Sequence, residues 1–413
     1  MSHTSGVEPF KISVPEKALD ALREKLAKAS FPETVDFSDD WEYGAPQSHV
    51  QRLAKYWKDG FDWRAQEARL NAALPQFTTE IDIDGFGPLR VHLVHKESSR
   101  PGSIPLLFCH GWPGSFIEVV KVLPLLVDPA EGPSFHVVAP SLPNFGFSHV
   151  VKKRGFGIPQ YAECMHKVMA KLGYNKYVTQ GGDWGAIITR MMGVLYPEHC
   201  LASHVNFLVV RPSIPQYLTL ALTHAFKWCT GWHSQLERGR LARSFWYLTQ
   251  GSGYMMVQAN QPANIGLAFA DSPVALLAWV YEKLHNWTDE YPWTDDEVLT
   301  WISIYQFSTA GAAASVRIYY EAYHSQRDTT MKCARYVPRV PLGISYFPKD
   351  LLAPPRDVGR AAGPVVFEAE HDQGGHFAAY ECPQQLCKDI GAMFGPEGGA
   401  CHVAQRFQHT TLS

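Results

Sequence analysis

Thr179-Gln180-Gly181-Gly182-Asp183-Trp184-Gly185 is the stretch whose reading decides the fold. It reads as a strand end, a sharp turn and a helix start, with one acidic side chain at the tip. Small residues two before and two after Asp183 leave room for a backbone bend that a larger side chain would block. A carboxylate held at such an elbow can attack an electrophilic carbon and form an ester that water later cleaves. Alone, the heptapeptide reads equally well as a Gly-rich loop, since these residues dominate turns. Its surroundings decide.

Lys176 to Thr179 is a short apolar strand leading into the turn, and Ala186 to Tyr196 is a helical pattern leaving it. The alternation repeats on both sides, with strands at Pro105 to Cys109, Phe135 to Ala139 and His204 to Val209. Helical patterns lie at Phe116 to Leu126 and Pro159 to Leu172. Buried apolar strands alternating with amphipathic helices predict an α/β fold with a mostly parallel, twisted sheet and helices on both faces. In such sheets chemistry sits at the carboxyl ends of the strands. Asp183 is at one. A hairpin, Phe77 to Ile83 and Leu89 to His95 around Asp84-Gly85-Phe86-Gly87, opens the sheet. Strands at Leu342 to Phe347 and Val365 to Ala369, then a helix from Pro383 to Met393, complete it.

These signals divide the chain into four parts. Residues 1–76 read as a helical extension wrapped around the core, with Ser13-Val14-Pro15-Glu16 as a capping box and Leu19, Leu22 and Leu26 at helical spacing. Further helical patterns run over His49 to Trp57 and Trp63 to Leu70. Residues 77–210 form the first part of the core. Strand signals vanish over 211–335, a helical cap with candidates at Val274 to Leu284, Asp295 to Gln306 and Ala312 to Tyr323. Residues 336–413 return to the core, and the tail after Gly395 is expected to be poorly ordered.

Composition narrows the partners. A 413-residue chain that is 46% apolar and 19% charged, with a formal net charge of −3 and no long run of one sign, has no basic face for nucleic acid. Its 8 Cys lack C-x-x-C pairing and read as reduced thiols of a cytoplasmic protein. There is no signal peptide and no uninterrupted apolar run of spanning length, so a soluble protein without a membrane span is expected. The final Thr411-Leu412-Ser413 is not a peroxisomal signal.

If Asp183 is a nucleophile, the order on this architecture is nucleophile, acid, then His, each at the end of a later strand. Pro348-Lys349-Asp350 follows one strand and His371-Asp372-Gln373-Gly374-Gly375-His376-Phe377 the next. Asp350 would orient the His376 imidazole, which would take a proton from water. Asp357, Glu368 and Asp372 compete for the acid role; Asp350 is preferred because it comes directly after its strand, whereas Asp372 shares the His loop. His371, Asp372 and His376 do not read as metal ligands, since no third cluster or H-E-x-x-H accompanies them, and neither metal nor cofactor is expected. His110-Gly111-Trp112-Pro113-Gly114-Ser115 turns at another strand end. The backbone N–H groups of Trp112 and Trp184 would form an oxyanion hole there.

In their order, His110-Gly-Trp-Pro, Gly181-Gly-Asp-Trp-Gly185, Gly251-Ser-Gly-Tyr-Met255, Asp271-Ser-Pro273, Arg317-Ile-Tyr-Tyr-Glu321 and Gly374-Gly-His-Phe377 resemble the epoxide hydrolases of the α/β-hydrolase fold. The likeness is to the microsomal-type branch with its soluble fungal members, and it runs from Val7 to Met393. It implies that two cap tyrosines, Tyr254 and Tyr319, donate to the epoxide oxygen; the Tyr-x-Glu ending selects Tyr319 over Tyr320. A phenol suits that task, being neutral at pH 7 yet acidic enough to protonate an alkoxide. The resemblance also implies an apolar epoxide and water as reactants, and a homodimer formed through the cap. Two departures stand out: no membrane anchor precedes the extension, and Asp350 replaces the Glu of some relatives. A haloalkane dehalogenase, with the same Asp elbow and His, and a catalytically silent ligand-binding protein are the alternative readings. Halide release, diol release or binding without turnover separates the three.

Overall fold

The computed structural model describes residues 6–408 apart from residue 233. Nine strands form one sheet: β1 (Val7–Phe10), β2 (Gln76–Ile83), β3 (Gly87–Lys96), β4 (Ile104–Cys109), β5 (Phe135–Pro140), β6 (Tyr177–Gly181), β7 (Cys200–Val205), β8 (Leu342–Tyr346) and β9 (Val365–Glu370). Their order is β1-β2-β3-β5-β4-β6-β7-β8-β9. The strands from β5 to β9 in that order run parallel, and β1, β2 and β3 pair antiparallel at one edge. Every residue of β4, β6 and β7 is buried. That is why these strands read as unbroken apolar runs: helices cover both faces, so neither face must be polar. The fold is that of an α/β hydrolase.

Between β7 and β8 the chain leaves the sheet and builds a helical cap. The cap helices are Ile214–Thr230, Gln235–Trp246, Gly253–Asn260, Pro262–Asp271, Pro273–Asn286, Asp295–Gln306, Arg317–His324 and Arg327–Cys333. Arg190, buried on the helix after β6, donates to the carbonyls of Cys333, Arg335 and Ala362 and so fastens the return from the cap to the core.

Several sequence expectations need correction. Residues before 77 are not purely helical, because Val7–Phe10 adds an edge strand in register with Gln76–Thr79. Four residues with Pro9 among them carry no periodicity of their own; the pairing is set by the neighbouring strand, and Pro is tolerated at an edge. The capping box is not formed: the first helix, Glu16–Ala27, is capped by Pro15 without a side-chain hydrogen bond. Strand β7 ends at Val205, four residues short of the predicted end, and of the apolar residues beyond it Phe207 packs against His376 and Val209 lines a neighbouring cavity. The third predicted cap helix starts at Arg317, not Ala312. Finally, the tail from Gly395 to Gln408 packs on the core, and residues 409–413 lie outside the described residues. Helix Cys401–Gln408 buries Val403 and Ala404, and a Cβ at Gly399 would lie 2.4 Å from the Val366 carbonyl, so the turn packs directly on β9.

Candidate active site

At the end of β6, Gly182 caps helix Asp183–Leu195, and Asp183 itself sits at φ 49°. A non-glycine residue in the left-handed region is uncommon and persists only where its surroundings hold it. Here the surroundings are backbone. A Cβ on Gly181 would lie 2.5 Å from the Gly185 backbone, and one on Gly185 would lie 1.9 Å from the Cys109 carbonyl oxygen. The elbow thus closes against β4, which is paired with β6 at Cys109 and Gly181.

The turn after β4 meets the elbow directly. The Trp112 N–H donates to Asp183 Oδ1 at 2.8 Å. Gly111 makes this approach possible, since a Cβ there would stand 2.2 Å from the same oxygen. The Trp112–Pro113 peptide is cis. Two cap side chains hold the carbonyls of the turn: Trp301 Nε1 donates to Pro113 O and Tyr305 Oη to Gly114 O, each at 2.5 Å. His110 is a structural member of the turn. Its Nε2 accepts from the Leu142 N–H at 3.1 Å, its Nδ1 lies 3.0 Å from Gly111 O, and burial lowers its pKa to about 4. Trp184 N–H belongs to the first helical turn after Asp183, where N–H groups lack an intrahelical acceptor.

Asp350 lies four residues beyond β8, and His376 lies in the loop after β9. His376 Nδ1 is 2.5 Å from Asp350 Oδ1, and Nε2 is 3.4 Å from Asp183 Oδ2. The Leu351 N–H also donates to Asp350 Oδ1, at 2.6 Å. The His376 N–H donates to Trp287 O at 2.8 Å, and the Trp287 and Phe207 rings pack edge-on against the imidazole at 5.2 and 5.6 Å. Burial alone would favour a neutral ring, but the Asp350 charge and the hydrogen bond to Asp183 raise the His376 pKa to about 10. The competing acids are engaged elsewhere. Asp357 pairs with His224 and Lys227, Glu368 with Arg356 and Arg360, and Asp372 is exposed. His371 hydrogen-bonds to Asp389 at 2.7 Å.

From the cap, Tyr254 and Tyr319 reach the same place. Their ring centroids are 5.8 Å apart. Tyr254 stacks on the Trp112 indole at 5.4 Å, while Tyr319 stands edge-on to Trp112 at 5.7 Å and to Trp184 at 4.9 Å. Both are buried, and burial raises both phenols well above 10. Tyr320 points away to Arg154, 2.6 Å from its oxygen. Beside the elbow an apolar cavity of about 160 Å³ is lined by Trp184, Ile187, Phe207, Val209, Tyr323 and Met331, among others.

The sequence reading missed Phe207, Trp287 and Tyr247. Phe207 lies in the apolar run that reads as strand from its sequence. Trp287 is the residue after its helix, and its contribution to His376 is a backbone carbonyl that no side chain announces. The hydroxyl of Tyr247 lies 3.1 Å from that of Tyr254, seven residues on, across a break in the helix.

An aspartate elbow on a mostly parallel sheet, met by a histidine from a later strand and roofed by cap phenols, is an arrangement that the α/β-hydrolase fold can build. Comparison with known proteins is narrower. Residues 7–119 match the family described as epoxide hydrolase N terminus, and residues 104–205 match the alpha/beta hydrolase fold. A protein of Stigmatella aurantiaca with a provisional epoxide hydrolase name is 38% identical over 94% of this chain and 85% of its own. Epoxide hydrolase 1 of Oryctolagus cuniculus is 32% identical over 93% and 88%. The solved epoxide hydrolase of Aspergillus niger superposes with a TM-score of 0.79 at 32% identity, covering 94% of this chain and 95% of its own. The chain belongs to the epoxide hydrolase family, whose members are hydrolases acting on ether bonds.

Proposed function

We propose that this chain converts an apolar epoxide and water to a vicinal diol through an ester on Asp183. The observation that carries the reading is the suspension of one carboxylate between two partners. Asp183 Oδ1 accepts from Trp112 N–H at 2.8 Å while Oδ2 faces His376 at 3.4 Å, under two buried phenols. Oδ2 attacks a ring carbon and the carbon–oxygen bond of the epoxide breaks. Tyr254 and Tyr319 hydrogen-bond the departing oxygen, and it takes a proton from a phenol that His376 then reprotonates. Esterification removes the negative charge of Asp183, one of the two groups that hold the proton on His376, so the neutral imidazole becomes available when a base is needed.

Water then gives a proton to His376, held by Asp350, and its oxygen attacks Asp183 Cγ. The oxyanion on Oδ1 is stabilised by the N–H groups of Trp112 and Trp184. Collapse breaks the bond from Cγ to the alkyl oxygen, which takes the proton from His376. The regenerated carboxylic acid returns its own proton to the imidazole. The apolar cavity supports a hydrocarbon-rich substituent on the epoxide. Exposed Ile214, Leu218 and Leu222 along one cap helix support a homodimer through the cap.

A single turnover in water enriched in heavy oxygen tests the route. The label is expected in the Asp183 carboxylate and not in the diol; label in the first-turnover diol excludes the ester. In His376→Gln the ester should accumulate, detectable as a mass increase of one substrate on the peptide containing Asp183.

A further inference from the structure

Tyr254 and Tyr319 have unequal surroundings. The Tyr254 ring is fixed by Trp112 stacked at 5.4 Å and by Trp287 at 5.0 Å. Those contacts set the ring plane but leave the O–H free to rotate. Its oxygen, however, lies 3.1 Å from the oxygen of Tyr247, which is itself 5% exposed. Tyr319 Oη makes no close hydrogen bond among the described residues, its polar neighbours being the Tyr254 hydroxyl and the Trp184 indole N–H.

Local structure explains how Tyr247 gets there. Helix Gln235–Trp246 continues into a π-helical turn, Tyr247–Gly251, breaks at Ser252 and restarts as Gly253–Asn260. Wide turns of this kind distort a helix at a cost and recur at functional sites. Here the turn and the break set Tyr247 and Tyr254 oxygen to oxygen.

We propose that Tyr247 is a positioning residue for epoxide opening: its O–H donates to Tyr254 Oη, aims the Tyr254 proton at the epoxide oxygen and makes Tyr254, not Tyr319, the phenol that transfers it. A hydroxyl that accepts from Tyr247 keeps its own hydrogen for another acceptor, and the only acceptor the reaction brings is the opening ring. As the proton passes to the alkoxide, charge builds on Tyr254 Oη, and the Tyr247 hydrogen bond strengthens there because bonds to charged acceptors are stronger. The phenoxide is then reprotonated as in the proposed cycle, and Tyr247 keeps its proton throughout. Tyr319, with no such partner, contributes a hydrogen bond to the epoxide oxygen without giving up its proton.

The inference rests on the ester route, so the two are tested in one set of variants of the full chain. Ester formation is read as the rate of mass increase on Asp183 in a His376→Gln background. If no ester forms there, the route itself fails, whatever Tyr247 does. If it forms, Tyr247→Phe, which keeps the ring and removes only the hydroxyl, should slow ester formation about tenfold. With His376 intact, the rate of ester hydrolysis should be unchanged. Loss of packing would slow both steps, so that split separates positioning from structure. Added to Tyr319→Phe, Tyr247→Phe should again cost about tenfold, and added to Tyr254→Phe it should cost nothing further. An equal loss in both backgrounds, a loss shared by both steps, or no loss overturns the proposal.

Discussion

One proton on His376 lies at the centre of the site's electrostatics. The imidazole is buried between two carboxylates, and its pKa is raised from an ordinary value of about 6.5 to about 10. A group whose pKa is raised by folding stabilises the fold fully below its unfolded value, and that contribution is lost as pH rises through the folded one. The melting-temperature advantage of the wild type over Asp350→Asn should therefore be largest just below about pH 6.5, while Asp350 is ionised, and shrink toward about pH 10. A gap independent of pH would mean that His376 is not charged in the fold. The same substitution should lower kcat by about 10⁴-fold, on the order seen when a triad carboxylate is neutralised. Residues at this scale were legible unequally. Asp183, Asp350 and His376 lie where strands end, and strand ends are visible as apolar runs followed by turn residues. Tyr247 was not legible, because its value depends on a break in a helix that no spacing rule anticipates.

Among the elements, helix Asp295–Gln306 has the broadest reach. Its own sequence announces it, with Thr294 and Glu297 forming a capping box and acidic residues in the first turn. Its far end touches the chemistry, since Trp301 and Tyr305 hold the carbonyls of Pro113 and Gly114 and so fix the turn that presents the Trp112 N–H. Trp301→Phe keeps the bulk and removes the donor. It should lower the rate of ester hydrolysis about tenfold while KM changes little; a rise in KM with an unchanged rate would show that the turn does not depend on Trp301. Gly185→Ala should fail more completely, because its Cβ would press on a β4 carbonyl that cannot move without parting the sheet. Loss of soluble protein, or a melting point lower by 10 °C or more on the order expected for several kcal/mol, is the expected result. Elements with a strong period were readable from sequence: the hairpin, the parallel strands and the cap helices Pro273–Asn286 and Asp295–Gln306, whereas the cap helices Ile214–Thr230 and Gln235–Trp246 were not among the candidates. Strand β1 and helix Cys401–Gln408 were not, since a short segment takes its conformation from what it packs against.

At the scale of the whole molecule, the extension before β2 binds the cap as well as the core. Arg52 pairs with Asp295, Tyr56 Oη donates to Asp296 at 2.9 Å, Lys25 donates to Ala270 O at 2.8 Å, and Trp41 stacks on His285 at 3.5 Å. The Trp41→Ala and Tyr56→Phe double variant should raise amide exchange over residues 262–306 while leaving the strands protected; unchanged exchange would show that the cap is held from the core alone. Leu218→Asp with Leu222→Asp should convert a dimer to a monomer in sedimentation if the cap face pairs, and wild-type protein that already sediments as a monomer would exclude the pairing.

The extension meets helix Asp295–Gln306 at one end, and the turn that faces Asp183 meets it at the other. A lid grafted from a relative would therefore arrive with its far contacts unmatched, and the damage would surface at the carboxylate, not at the graft. Changes of substrate range made by exchanging lids should succeed when residues 1–76 travel with the lid and stall when they do not. The two segments, separated in the chain by strands β2 to β7, would have to be exchanged together.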